Sequence, residues 1–233
     1  MKCERRITSG FSPRIASSCD FLLFPMNFRY VYISIDIINY HMKGISIKDQ
    51  LKVFFFQYPT AKKRVRQLER ELNLPLPSVI RYLKELENEG LIKRELFSGI
   101  TVFSADRASE KFIVQKRLFN VQFLFESGLV PFLRETYDNT PIVVYGSFAR
   151  GEDIETSDID IYIETPSKRT ENLRKFEEKL NKEVHLLKSV NIRRLSNIEL
   201  ANNILNGIGV NGFLKVFKRG NHIGRNALIS IMR

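Results

Sequence analysis

The chain has 233 residues, enough for two small domains that each bury a core. With 43% hydrophobic and 27% charged residues it has the make-up of a folded globular protein, which excludes a disordered one. The formal net charge of +11 favours polyanionic partners through phosphate neutralisation, without separating DNA, RNA, an acidic membrane and nucleotide phosphates.

Residues 1–41 have mixed composition and no sustained helical period. They read as a poorly ordered extension or as the product of a start codon placed too early. The two cysteines, Cys3 and Cys19, both lie here. No Cys/His spacing resembles a zinc site and no disulfide framework is implied, which fits a reducing cytoplasm. The most apolar early stretch, Phe21 to Ile38, is broken by Pro25, Asn27, Arg29 and Asp36. It therefore lacks the roughly 18 uninterrupted apolar residues of a membrane span. No cleavage pattern of a signal peptide follows an apolar run either.

From Ile47 the apolar period becomes helical, with Ile47, Leu51, Phe54 and Phe55 on one face and a stop at Tyr58-Pro59. Thr60 is the expected N-cap of a second helix that turns Val65, Leu68 and Leu72 inward. Pro77 suits the first turn of a third helix, whose apolar side is Val79, Ile80, Leu83 and Leu86 and whose end is Gly90. Two short strands, Leu91 to Leu96 and Ile100 to Ser104, flank Ser98-Gly99.

Three helices followed by a hairpin is the winged-helix order. The segments Val65 to Leu72, Ser78 to Leu86 and Glu89 to Ile92 resemble that family. The resemblance implies that the third helix enters the major groove of double-stranded DNA while the wing touches backbone. It puts Ser78, Arg81, Tyr82 and Lys84 on the reading surface, with Lys63, Arg64 and Arg94 against phosphate. Lys62, Arg66 and Lys93 join them as phosphate contacts or wing neighbours. Winged helices also serve as protein-interaction modules, and helix surfaces routinely carry Lys and Arg. Dimers are common among such regulators, though no heptad seam marks a homodimer here.

Ser109 to Glu126 reads as a longer helix with Phe112, Gln115, Leu118 and Phe119 at helical spacing, and Leu129 to Thr136 as a shorter one before the turn Asp138-Asn139-Thr140. The period then changes. Pro141 to Tyr145 is a short apolar strand and Asp158 to Glu164 alternates strictly. Thr170 to Leu180 is an amphipathic helix and Glu183 to Leu187 another strand. Ser196 to Asn206 is a helix with a capping box of Ser196 and Glu199, ended by Gly207. The boundaries drawn are an extension over 1–41, a winged helix over 42–106, a helical linker over 107–137 and a C-terminal domain over 138–233. The fold class is α+β, with a small mixed sheet flanked by helices in the last domain.

The chemistry concentrates in Tyr145-Gly146-Ser147-Phe148-Ala149-Arg150-Gly151 and Ser157-Asp158-Ile159-Asp160-Ile161. Gly146 at a strand end lets backbone approach a ligand, and the short helix opened by Ser147 favours phosphate. Asp158 and Asp160 are two apart in a strand, so they share a face while the isoleucines turn to the core. Paired carboxylates beside a phosphate cradle suit Mg²⁺.

Gly146-Ser147-x-x-Arg150-Gly151 followed by Ser157-Asp158-x-Asp160 resembles the minimal nucleotidyltransferase signature of the polymerase-beta-like superfamily. The resemblance covers Pro141 to Leu187. It implies NTP bound through Mg²⁺ and transfer of a nucleoside monophosphate with pyrophosphate released. It implies that Gly146, Ser147 and Arg150 bind the nucleotide and that Asp158 and Asp160 hold metal. Active relatives carry a third acidic residue in the middle of a following strand, where this chain has His185 within Lys182 to Leu187. An imidazole is a poor Mg²⁺ ligand but can serve as a general base. Glu183, about 6.6–6.8 Å upstream on the same strand face, is the candidate displaced carboxylate. His185 as a plain surface residue is the competing reading.

Two functions follow. One is a cytoplasmic DNA-binding transcription regulator whose nucleotidyltransferase-fold domain binds NTP and Mg²⁺ with weakened catalysis. The other is an active enzyme that moves a nucleoside monophosphate to a protein or other acceptor, an antitoxin acting on a toxin being one variant.

Overall fold

The computed structural model describes residues 46–216. The expectations for residues 1–41 lie outside the described residues.

The N-terminal part is built from α1 (Ile47–Gln57), α2 (Val65–Leu72), α3 (Leu76–Asn88), β1 (Ile92–Phe97) and β2 (Ile100–Ala105). Helix α1 starts where the Ser46 hydroxyl accepts from the Asp49 N–H at 3.1 Å, satisfying one otherwise unpaired donor. The two strands form an antiparallel hairpin with Ile92 opposite Ala105 and Phe97 opposite Ile100. Leu51, Phe54, Phe55, Leu68, Leu72, Val79, Leu83, Leu86, Leu91 and Phe103 make one core.

Two expectations for this part are corrected, those for Thr60 and Ile80. Thr60 caps no helix: α2 begins at Val65 with Arg64 at its N-cap, and the Thr60 N–H and hydroxyl both donate to Glu155, at 3.0 and 2.9 Å. Pro77 lies in the first turn of α3, as expected, at its second position after Leu76. Ile80 is 42% exposed. The buried stripe is Val79, Leu83 and Leu86, at intervals of about one and two turns, and Ile80 is one residue, about 100°, off it.

Helix α4 (Glu110–Glu126) joins the two parts, followed by α5 (Leu129–Thr136). The face that α4 buries carries Phe112, Lys116, Asn120 and Leu124, four residues apart each time. Leu118, at helical spacing from Phe112, lies off that face and is 66% exposed. Two polar side chains occupy the stripe where apolar ones would be expected.

The C-terminal part comprises β3 (Ile142–Tyr145), α6 (Gly146–Arg150), β4 (Ile159–Glu164), α7 (Arg174–Leu180), β5 (Val184–Ser189), a 3₁₀ turn (Ile192–Arg194), α8 (Ile198–Leu205) and β6 (Ile208–Asn211). Its sheet has the order β5-β4-β3-β6. Strands β4 and β5 are parallel, while β3 is antiparallel to both β4 and β6. The alternation of β4 decides both faces. Ile159, Ile161 and Ile163 join Ile142, Val144, Leu129, Leu133, Phe176 and Leu180 in one core. Tyr162 turns the other way and packs with Val143, Tyr145, Ile192 and Ile204 of α8.

Here too the boundaries differ. Helix α7 starts at Arg174, not at Thr170. The N-cap of α8 is Asn197, whose side chain accepts from the Leu200 N–H at 3.0 Å, so the Ser196–Glu199 capping box is not formed. Strand β6 was not expected: its four residues, Ile208-Gly209-Val210-Asn211, are too short and too glycine-broken to alternate visibly. Among the described residues no helix is long and apolar enough to cross a membrane.

Candidate functional site

The sheet register lines up Tyr145 with Asp160 and Asp160 with His185 across three strands. Register partners project to the same side of a sheet, and this is the side covered by α8. Asp158 lies immediately before β4 and brings a carboxylate oxygen to 3.8 Å from the His185 Nδ1. An Asp160 oxygen lies 3.9 Å from the same nitrogen. The two aspartates thus converge on one imidazole. Glu183 completes a second grouping: ligand atoms of Asp158, Glu183 and His185 all lie within 4.8 Å of one another. Two carboxylates and an imidazole make a donor set that fits a divalent cation, with oxygen predominating.

Asp160 is the most enclosed of the four. Burial raises its pKa above the ordinary aspartate value; nearby His185 opposes the shift and the Asp158 carboxylate adds to it. Burial, and secondarily Asp160, raises the Tyr145 phenol as well. A cation here would relieve the enclosed negative charge.

Gly146 is fixed by two separate constraints. Its φ of +76° lies in the left-handed region, and a Cβ added to it would stand 2.7 Å from an Asp160 carboxylate oxygen. Backbone and carboxylate therefore touch where a side chain would wedge them apart. Ser147, half-buried, follows in the five-residue α6. The exposed Arg150 donates to Glu152 at 2.7 Å and to the Asn203 side-chain oxygen at 3.4 Å. On its other flank Gly146 borders a cleft shared with Ala149, Arg150, Asn202, Asn203, Asn206 and Gly207.

The loop between α6 and β4 is anchored by groups that the sequence reading passed over. Asp153 is fully buried and takes a hydrogen bond from the Asn120 amide at 2.7 Å, with the Lys116 ammonium at 3.1 Å and the Lys182 ammonium at 3.3 Å. Lys116 also donates to the Phe56 carbonyl at the end of α1, at 2.6 Å, and Asn120 to the Phe148 carbonyl at 2.9 Å. Lys182 donates to the carbonyls of Ile154 and, at 3.2 Å, Ser157. The available signal was Lys116 and Asn120 in the apolar stripe of α4.

The residues expected to face DNA are spread over the segment that leads into α2, α2 itself, α3 and β1. Arg81 stacks 4.3 Å above the Tyr82 ring and donates to its hydroxyl. Lys84 and Arg64 are exposed and Ser78 is half-buried. Lys63 is half-buried and paired with Glu71 at 2.6 Å, while Arg94 faces Glu87 at 3.5 Å. Lys62 and Lys93 both meet Glu95. Much of the basic charge here is already matched by neighbouring carboxylates.

A family model for the nucleotidyltransferase domain matches residues 127–204. The match runs from just before α5 into α8 and contains Gly146, Ser147, Asp158, Asp160, Glu183 and His185, so this segment is a nucleotidyltransferase-type domain. No curated protein and no solved structure matches the chain.

Proposed function

We propose that the C-terminal domain binds an NTP through Mg²⁺ held by Asp158 and Asp160, and that the N-terminal helices and hairpin form a winged helix that carries it to double-stranded DNA. The chain is then a DNA-binding transcription regulator with a nucleotide-binding domain. The observation that carries the nucleotide half is the convergence of Asp158 and Asp160 on His185 beside Gly146. For the DNA half, the three helices and antiparallel hairpin support the reading, together with the net charge of +11. Arg81, Tyr82 and Lys84 of α3 face the groove, and Arg64 faces phosphate.

A bound divalent cation would neutralise triphosphate charge and orient the reacting oxygens. The chain's own part is to gather the carboxylates, to leave room for phosphate beside Gly146, and to pin the α6–β4 loop through Asp153. The imidazole at position 185 is a weaker partner for Mg²⁺ than a carboxylate, which weakens catalysis relative to binding.

A second reading, an active transferase, draws on Glu183, whose carboxylate joins Asp158 and His185 in the ligand grouping. There an acceptor hydroxyl attacks the α-phosphorus, pyrophosphate leaves, and the hydroxyl proton passes to Glu183 or His185. The deciding experiment uses Asp158→Ala with Asp160→Ala. DNA binding that falls steeply with salt and survives the double change supports the regulator. Magnesium-dependent pyrophosphate release that disappears in the double variant supports the enzyme. Wild-type protein that binds neither nucleotide nor DNA refutes both.

A further inference from the structure

The cleft on the far flank of Gly146 has a chemistry unlike that of the metal side. Asp160, Tyr145 and α8 occupy the same face of the sheet, so the acidic group and this cleft open on one surface with Gly146 between them. The cleft walls carry Arg150 and the amides of Asn202, Asn203 and Asn206, with no carboxylate among the described residues that line it. Gly207 sets how closely they stand. A Cβ there would lie 2.5 Å from the Val144 carbonyl and 2.8 Å from a Val143 methyl, so the end of α8 can rest directly on β3. The floor between Gly146 and Gly207 is consequently low.

The three amides differ in what they already do. Asn206 donates to the Asn202 carbonyl at 2.9 Å and serves the helix end. Asn203 accepts from Arg150, which leaves its NH₂ as a donor. The side chain of Asn202 makes no hydrogen bond among the described residues and is exposed. A neutral side-chain amide offers both donors and an acceptor, which matches the mixed edge of a nucleobase and does little for phosphate.

We propose that the cleft between α6 and α8 takes the nucleoside end of the nucleotide, its base read by the side-chain amides of Asn202 and Asn203. The assignment rests on the nucleotide-binding reading above and deepens it: the phosphates lie on the Asp158 and Asp160 side of Gly146, the base on the asparagine side. Arg150, tied to Asn203, joins the two ends.

The test is calorimetry on the full chain with Mg²⁺, titrating inorganic tripolyphosphate and, separately, ATP, GTP, CTP and UTP. The wild-type protein is expected to bind at least one NTP more tightly than tripolyphosphate and to rank the four. Asn202→Ala with Asn203→Ala is expected to weaken the preferred NTP roughly tenfold, the worth of one or two hydrogen bonds, while tripolyphosphate changes less than about twofold. Circular dichroism checks that α8 persists. Unchanged NTP affinity in the variant overturns the assignment, as does an equal loss for tripolyphosphate. If wild type holds tripolyphosphate and all four NTPs equally, the phosphate and metal reading stands and the cleft assignment alone falls. If wild type binds none of them, both fall.

Discussion

Lys116→Met tests whether the buried polar cluster holds the two parts of the chain together. The Lys116 side chain is 2% exposed and Asp153 is at 0%, so neither charge can be rescued by water. Burial lowers the Lys116 pKa, and its pairing with Asp153 opposes that shift. Removing one partner of a buried pair costs about 3–5 kcal/mol, because the other charge stays buried. Asp153 keeps Asn120 and Lys182, which argues for the lower end, about 3 kcal/mol. For a chain of this size that corresponds to a fall in Tm of about 6–12 °C. The protein lacks tryptophan, so far-ultraviolet circular dichroism during urea unfolding is the suitable readout. Lys116→Met combined with Asp153→Asn should cost less than the sum of the single changes, since the unpaired carboxylate is gone. Additive losses, or a single-variant cost below about 1 kcal/mol, would refute the claim that this pair clamps the α6–β4 loop.

Gly146→Ala should reduce metal and nucleotide binding at least tenfold by calorimetry and lower stability by about 1–3 kcal/mol, because the new methyl meets Asp160 in a strained backbone conformation; unchanged binding would mean that the contact is not needed. The raised pKa of Asp160 fixes a sign for pH dependence. Its folded form holds the proton more tightly than the unfolded chain, so its stabilising effect is full below the ordinary value near 3.8 and is lost as pH rises through the elevated folded pKa. Asp160→Asn should therefore flatten that fall and raise the Tm of the metal-free protein at neutral pH. A neutral-pH Tm that drops, in urea or heat melts of well-folded variant, would reverse the sign.

What the sequence made legible follows from how local each signal is. The β4 alternation was plain because one strand faces a core on each side, and Ile159, Ile161 and Ile163 must all enter the same one. The Gly146-Ser147 bend and the two aspartates were plain because they sit within sixteen positions of one another, Tyr145 to Asp160. By contrast, Ile80 looked buried because hydrophobicity alone does not tell the centre of a helical stripe from its edge. Thr60 looked like a cap because the residue that takes both its hydrogen bonds, Glu155, is 95 positions away. The same distance hid Lys116: its partners Phe56 and Asp153 lie 60 and 37 positions from it.

Those long-range polar contacts bear on how the two halves could act together. Thr60 follows α1 and grips Glu155, while Lys116 ties the last turn of α1 to Asp153. Both grips fall on the loop that ends at Ser157, one residue before Asp158. Lys182, one residue before Glu183, binds that loop from the other side. Two of the acidic side chains at the site are thus each next in sequence to an atom fixed by this cluster. A displacement of α1 large enough to strain Lys116 would have to move the loop or break a buried ion pair, and the second costs more than most surface rearrangements. On the proposed reading, in which one part meets DNA and the other a nucleotide, that arrangement makes the loop before β4 the place where the two events would be felt jointly.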